Sequence, residues 1–110
     1  MHFKISQADL QSLLKRAFTK APGKKTQLTI TVLDGNVYCE TSDAGAFGPA
    51  VIIAPGQVAL PAKAFRQIID TYKTVASIEI EGSAISLRIN SFKMPLTSWT
   101  PVAKVPASFT

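Results

Sequence analysis

Glu79 and Glu81 stand two residues apart in "SIEIEG", the spacing that puts two carboxylates on one face of a strand. A pair so placed could divide general acid and general base work. They lie opposite Ile78 and Ile80, however, and a strand with isoleucines on one side and acids on the other reads as half-buried with a solvated face. His2 is the only histidine and stands at the start of the chain, a poor position for a triad or a metal site. Cys39, in an alternating strand, reads as a small core residue and not a nucleophile. Gly23, Gly35, Gly45, Gly48, Gly56 and Gly82 form no phosphate-binding fingerprint, and "DGNVYCETSD" lacks the ligand spacing of a calcium loop. Tyr72 and Trp99 could stack on bases, but Tyr72 falls on an apolar helical stripe and Trp99 reads as a packing or interface residue. The residues point to no enzyme, no metal and no cofactor.

What remains is charge. The chain carries twelve Lys and Arg against seven Asp and Glu, a net +5. Residues 7 to 25 and 61 to 73 hold Lys15, Arg16, Lys20, Lys24, Lys25, Lys63, Arg66 and Lys73, opposed only by Asp9 and Asp70, a balance of +6. The remaining residues hold four cations against five acids, a balance of −1. The whole basic excess therefore sits in two segments. At ~100° per residue, Lys15 and Arg16 oppose the apolar stripe of the first segment and Lys63 that of the second. Arg66, Lys73 and Lys20 lie on the flanks, and Asp70 points outward among them. A surface polarised in this way suits phosphates, which need charge but little geometric precision.

The elements that position these cations repeat. "MHFKIS" alternates as a half-buried strand, and Ser6 then caps a helix beginning near Gln7. Leu10, Leu13, Leu14, Ala17 and Phe18 make one stripe, ended by Pro22 and Gly23. "QLTITVL" and "VYCETS" form a hairpin around Asp34-Gly35, and "GPAVIIA" is a weaker closing strand. The second half follows the same order. "QVAL" is a short strand, Pro61 opens a helix striped by Phe65, Ile68, Ile69 and Tyr72, and "SIEIEGSAISLRIN" is a hairpin around Glu81-Gly82. "SFKMPLTSW" is the last strand, with Phe92, Met94 and Leu96 on one face. Two copies of one unit, about 1–54 and 55–110, are expected to share a core within one domain spanning 1–110. Neither copy could bury its helix alone, so both helices are expected on one side of antiparallel sheets, an α+β fold with their polar backs bare.

At this point the chain resembles the bacterial beta sliding clamp family, the processivity subunit of the replicative DNA polymerase, and most of all a first clamp domain. The resemblance rests on "MHFKISQADLQSLL", "LTITVLDGNVYCETSD" and "ALPAKAFRQIIDTYKTVASIEIEGSAISLRINSFKMPLTSWTP", and covers nearly the whole chain. It implies a clamp domain of two βαβββ halves whose helices face a central hole and whose sheets form the outer wall. It further implies nonspecific backbone contact with duplex DNA. The corresponding positions are Lys15, Arg16 and Lys20 on the first helix, Lys63, Arg66 and Lys73 on the second, and Lys24 and Lys25 in the loop between. Bacterial clamp subunits carry three such domains, so a ring built from this chain needs about six copies. The family's pocket for partner peptides is built from later domains and maps onto nothing here. Pro49 and Pro95 fall in the outer strands, where proline cannot donate to a ladder, which argues against continuous pairing of neighbours.

Two functions follow as expectations. One is a clamp-like protein, expected as a homo-oligomer, that grips duplex DNA nonspecifically through its helical face. The alternative is a protein-interaction adaptor or antagonist of the replication machinery that keeps the fold without encircling DNA. With one cysteine, no secretory stretch and no apolar run near the ~20 residues of a membrane span, the expected setting is the cytoplasm, with no membrane partner.

Overall fold

The computed structural model describes residues 1–19, 21–101 and 103–109. The alternating opening forms β1 (His2–Ser6), with Phe3 and Ile5 buried and Lys4 exposed. Ser6 caps α1 (Gln7–Ala17). Its Oγ accepts from the Asp9 amide at 3.1 Å and satisfies one of the donors that a helix start leaves unpaired. Leu10, Leu13, Leu14 and Ala17 are buried, and Phe18 follows as the C-cap. Asp34 and Gly35 both have positive φ, 50° and 80°, as a two-residue type I′ turn between β2 (Gln27–Leu33) and β3 (Asn36–Glu40) requires. The second helix, α2 (Ala62–Thr71), follows a strand that ends in Pro61, so this proline precedes the first helical turn and does not open it. Phe65 and Ile69 are fully buried, whereas Ile68 and Tyr72 are half-buried.

Three local expectations are corrected. "GPAVIIA" is not one strand: β4 (Gly45–Pro49) pairs with β3, while β5 (Val51–Ala54) pairs with β1 in a different sheet. The last strand divides likewise into β9 (Phe92–Pro95) and β10 (Ser98–Thr100), again in different sheets, leaving Leu96 outside both. Between β7 (Ser77–Gly82) and β8 (Ser86–Ile89) the chain reverses at residues 83–85, and Gly82 is a buried strand residue paired with Leu87. Glycine is needed there for space. A Cβ would stand 3.1 Å from Val58 Cγ1 and 3.3 Å from Met1 Cε.

With β6 (Gly56–Pro61), the strands form two five-stranded antiparallel sheets in the orders β5-β1-β7-β8-β9 and β10-β6-β2-β3-β4. The halves interlock. The first strand of each half, β1 or β6, is inserted into the sheet built from the other half's hairpin, and the last strand of each half crosses over in the same way. Both helix starts are pinned by matching bonds: the Gln7 amide donates to Ala76 O at 3.0 Å, and the Ala62 amide to Thr26 O at 2.9 Å. In each case the helix of one half is tied to the residue just before a strand that pairs with its own lead-in strand. One apolar cluster joins Leu10, Leu13, Phe65 and Ile69 of the helices to Phe3, Ile30, Val58, Ile80 and Leu87 of the sheets. Full burial of each such side chain stabilises the fold by about 1.5–3 kcal/mol.

Candidate nucleic-acid interface

The two helices lie side by side and antiparallel. Gln11 in α1 donates from Nε2 to Asp70 Oδ1 near the end of α2 at 2.9 Å. At the other end of the seam, the Arg66 guanidinium of α2 lies over the Phe18 ring, 5.7 Å from its centroid. Because the inner stripes are buried, the opposite faces are bare: Lys15, Arg16 and Lys63 are exposed. Lys73 is exposed in the turn after α2, and Arg66 is half-buried at the seam. Lys24 and Lys25 are exposed in the loop between α1 and β2. There they line an open cavity of about 740 Å³ with Thr29, Glu40 and Thr41, toward the sheet side of the loop. Lys20 lies outside the described residues. The structure thus brings Lys15, Arg16, Lys63 and Arg66 onto one helical layer, with Lys73 just past its end, while Lys24 and Lys25 gather with residues of β2 and β3 and not with the helices.

The two acids of β7, Glu79 and Glu81, are both ion-paired across strands. His2 Nε2 lies 2.5 Å from Glu79 Oε2, and Arg88 Nη2 donates to Glu81 Oε1 at 2.9 Å. The hydrogen bond from His2 holds the Glu79 carboxyl below its ordinary range, partly offset by desolvation, with the nearby charges of Lys4, His2 and Arg88 adding smaller lowering effects. Among the described residues no ion pair engages Lys15, Arg16, Lys24, Lys25, Lys63, Arg66 or Lys73. Asp70, read from its helical position as pointing outward, is half-buried and turned to Gln11. Burial pushes the Cys39 thiol up to about 12, so it stays neutral and unreactive in the folded chain. Trp99 is half-buried against the core.

The sheet edges have a defined chemistry. A two-residue hairpin makes its flanking residues a bonded pair, and pairs alternate from there. By that alternation Ala46 and Gly48 of β4 bond β3, while Gly45, Phe47 and Pro49 turn their backbone groups to the free edge. In β9, Phe92 and Met94 bond β8, while Lys93 and Pro95 face the free edge. Both prolines therefore occupy positions where a missing N–H costs the sheet nothing. Beside β9 the second half departs from the first. Leu13 packs close to Gly48, but α2 leaves an apolar groove of about 540 Å³ against β9, lined by Ile68, Phe92, Met94 and Pro95. Phe92 is 49% exposed there, where the alternating pattern alone predicts burial. The seam residues Gln11, Asp70 and Phe18 were equally invisible as partners, since no periodicity within one helix names its neighbour.

No family model matches this chain, and no curated protein matches it. Solved structures do. The Helicobacter pylori beta clamp in complex with carprofen superposes with a TM-score of 0.76 at 22% identity, covering 87% of this chain and 29% of the clamp. The same organism's beta clamp bound to a DNA ligase peptide gives 0.73 at 20%, covering 89% and 31%. The Bacillus subtilis DNA polymerase sliding clamp gives 0.73 at 19%, covering 96% and 33%. This chain spans about a third of the length of the clamps it matches.

Proposed function

We propose that the chain, whose fold is that of a single domain of a bacterial DNA polymerase III beta sliding clamp, is a clamp-like protein that holds duplex DNA nonspecifically against its helical layer and does so as a homo-oligomer. The observation that carries this reading is the concentration of exposed cations on two adjacent helices. Lys15, Arg16 and Lys63 are exposed and in no ion pair among the described residues, whereas the strand acids Glu79 and Glu81 are matched by His2 and Arg88. Cations left unpaired on one surface attract a polyanion and release its counterions on contact. Backbone phosphates satisfy such a surface in any sequence, which allows sliding.

The test is duplex affinity against salt. Binding at low ionic strength should fall steeply and linearly on a log–log plot, by about 0.9 per phosphate neutralised. Reversing Lys15, Arg16 and Lys63 together to Glu should abolish it. Equal affinity for duplex by the triple variant and the native chain sinks the proposal.

A second reading, a protein-interaction adaptor or antagonist of the replication machinery, is favoured by the free edges. Pro49 and Pro95 remove outward N–H groups from both outer strands, and the groove beside β9 leaves apolar surface open. Solution mass with and without DNA separates the two. A closed oligomer of about six copies supports encirclement, and a monomer that binds no duplex supports the adaptor.

A further inference from the structure

We propose that Phe18 is a positioning residue for duplex contact: its ring holds the Arg66 guanidinium at the seam between the helices, with the N–H groups of Arg66 left for a backbone phosphate. This deepens, and rests on, the reading of the helical layer as a duplex-binding surface. Three observations carry it. Phe18 closes α1 as its C-cap, with its amide donating to Leu14 O at 2.9 Å, so its backbone is fixed where the helix ends. The ring is nearly buried, 9% exposed, while Arg66 above it is half-exposed. Finally, no hydrogen bond or ion pair among the described residues occupies the Arg66 guanidinium, which rests on the Phe18 ring.

An arginine on a bare helix face loses side-chain freedom when it meets a phosphate, which weakens the contact. A guanidinium already resting on an aromatic face has lost part of that freedom beforehand, and cation–π attraction leaves its rim donors unspent. Asp70 is the acid one helical turn along from Arg66, and its Oδ1 is turned to Gln11 across the seam. Arg66 is thereby set apart from Lys15 and Lys63, which carry charge on unanchored stems, and from Arg16, whose Nε donates to the Ser12 carbonyl of its own helix at 3.5 Å. Its contact should be the one most sensitive to side-chain geometry and not merely to charge.

The test is a double-mutant cycle in the full chain with a short fluorescein-labelled duplex at low salt. Phe18→Leu keeps an apolar side chain and removes the ring; Arg66→Ala removes the guanidinium. Each single variant is expected to weaken binding about three- to tenfold, and Phe18→Leu is expected to add nothing in the Arg66→Ala background. Phe18→Tyr, which keeps a ring, is expected to bind as the native chain does. Equal weakening by Phe18→Leu in both backgrounds makes the ring a fold residue only and overturns the proposal. So does a Phe18→Leu variant of native affinity. The ring-current displacement of the Arg66 Nε proton in NMR spectra of the DNA-free chain supplies a readout independent of binding. It should be present in the native chain and lost in Phe18→Leu, and its absence from the native chain overturns the stacking itself. A native chain that shows the displacement but binds no duplex overturns the duplex-binding reading, and the positioning role with it.

Discussion

Gln11 Nε2 donates to Asp70 Oδ1 at 2.9 Å, a bond between side chains fifty-nine positions apart that joins the two basic helices. It turns the acid on the outward side of α2 toward the seam. Asp70→Ala should cost about 1 kcal/mol of stability by denaturant unfolding, the worth of one partly buried hydrogen bond. The same change removes a negative charge from the cationic layer, so duplex affinity at low salt should rise. Opposite signs for stability and binding are the expected signature, and a fall in both counts against the charge argument.

Gly82 sits where the core of one half meets the first residues of the other. Its substitution by Ala brings a methyl to 3.1 Å from Val58 Cγ1, so one or both neighbours must give way. The expected loss is about 1–3 kcal/mol, read by thermal or denaturant unfolding. An exposed turn glycine, such as the sequence pattern implies at this position, would instead tolerate Ala with little change.

The Glu79 carboxyl titrates below its ordinary value because His2 donates to it. A lowered folded-state value means that the unfolded chain binds the proton more readily in acid. The contribution is therefore present above the ordinary glutamate range and lost as pH falls through the lowered value. Glu79→Gln should flatten that acid limb of the stability curve while leaving stability at high pH less affected by pH. Unfolding midpoints measured across the acid range check this, and an unchanged limb argues that other carboxylates carry it.

Pro95 presents no N–H to the free edge of β9, where Lys93 offers the neighbouring donor. Pro95→Val restores a donor at an outward position without disturbing the bonds to β8. Self-association should increase, seen as a rise in solution mass with concentration. A variant no more associated than the native chain shows that this edge is not where copies meet.

Much of the α+β fold was legible because its elements are short-range statements. The stripe from Leu10 to Phe18 marks the first helix and Ser6 its start, though the helix ends at Ala17, ahead of the Pro22-Gly23 stop read from the sequence. Asp34-Gly35 marks a hairpin because only certain residues accept positive φ. The bare positions of Lys15, Arg16 and Lys63 followed from the same periodicity. Gly82 was misread because a glycine required for packing space looks, in sequence, like one required for a turn.

The sequence by itself determined the apolar stripes of both helices, the turn at Asp34-Gly35 and that the basic excess belongs to the helical segments, since each depends on side-chain type and spacing within a few residues. Only the tertiary structure decided that "GPAVIIA" and "SFKMPLTSW" each divide between two sheets, that Arg66 rests on Phe18, and that α2 leaves a groove beside β9. Those outcomes depend on which distant surfaces compete for the same partner. Alternation within one strand is identical whichever sheet it finally joins.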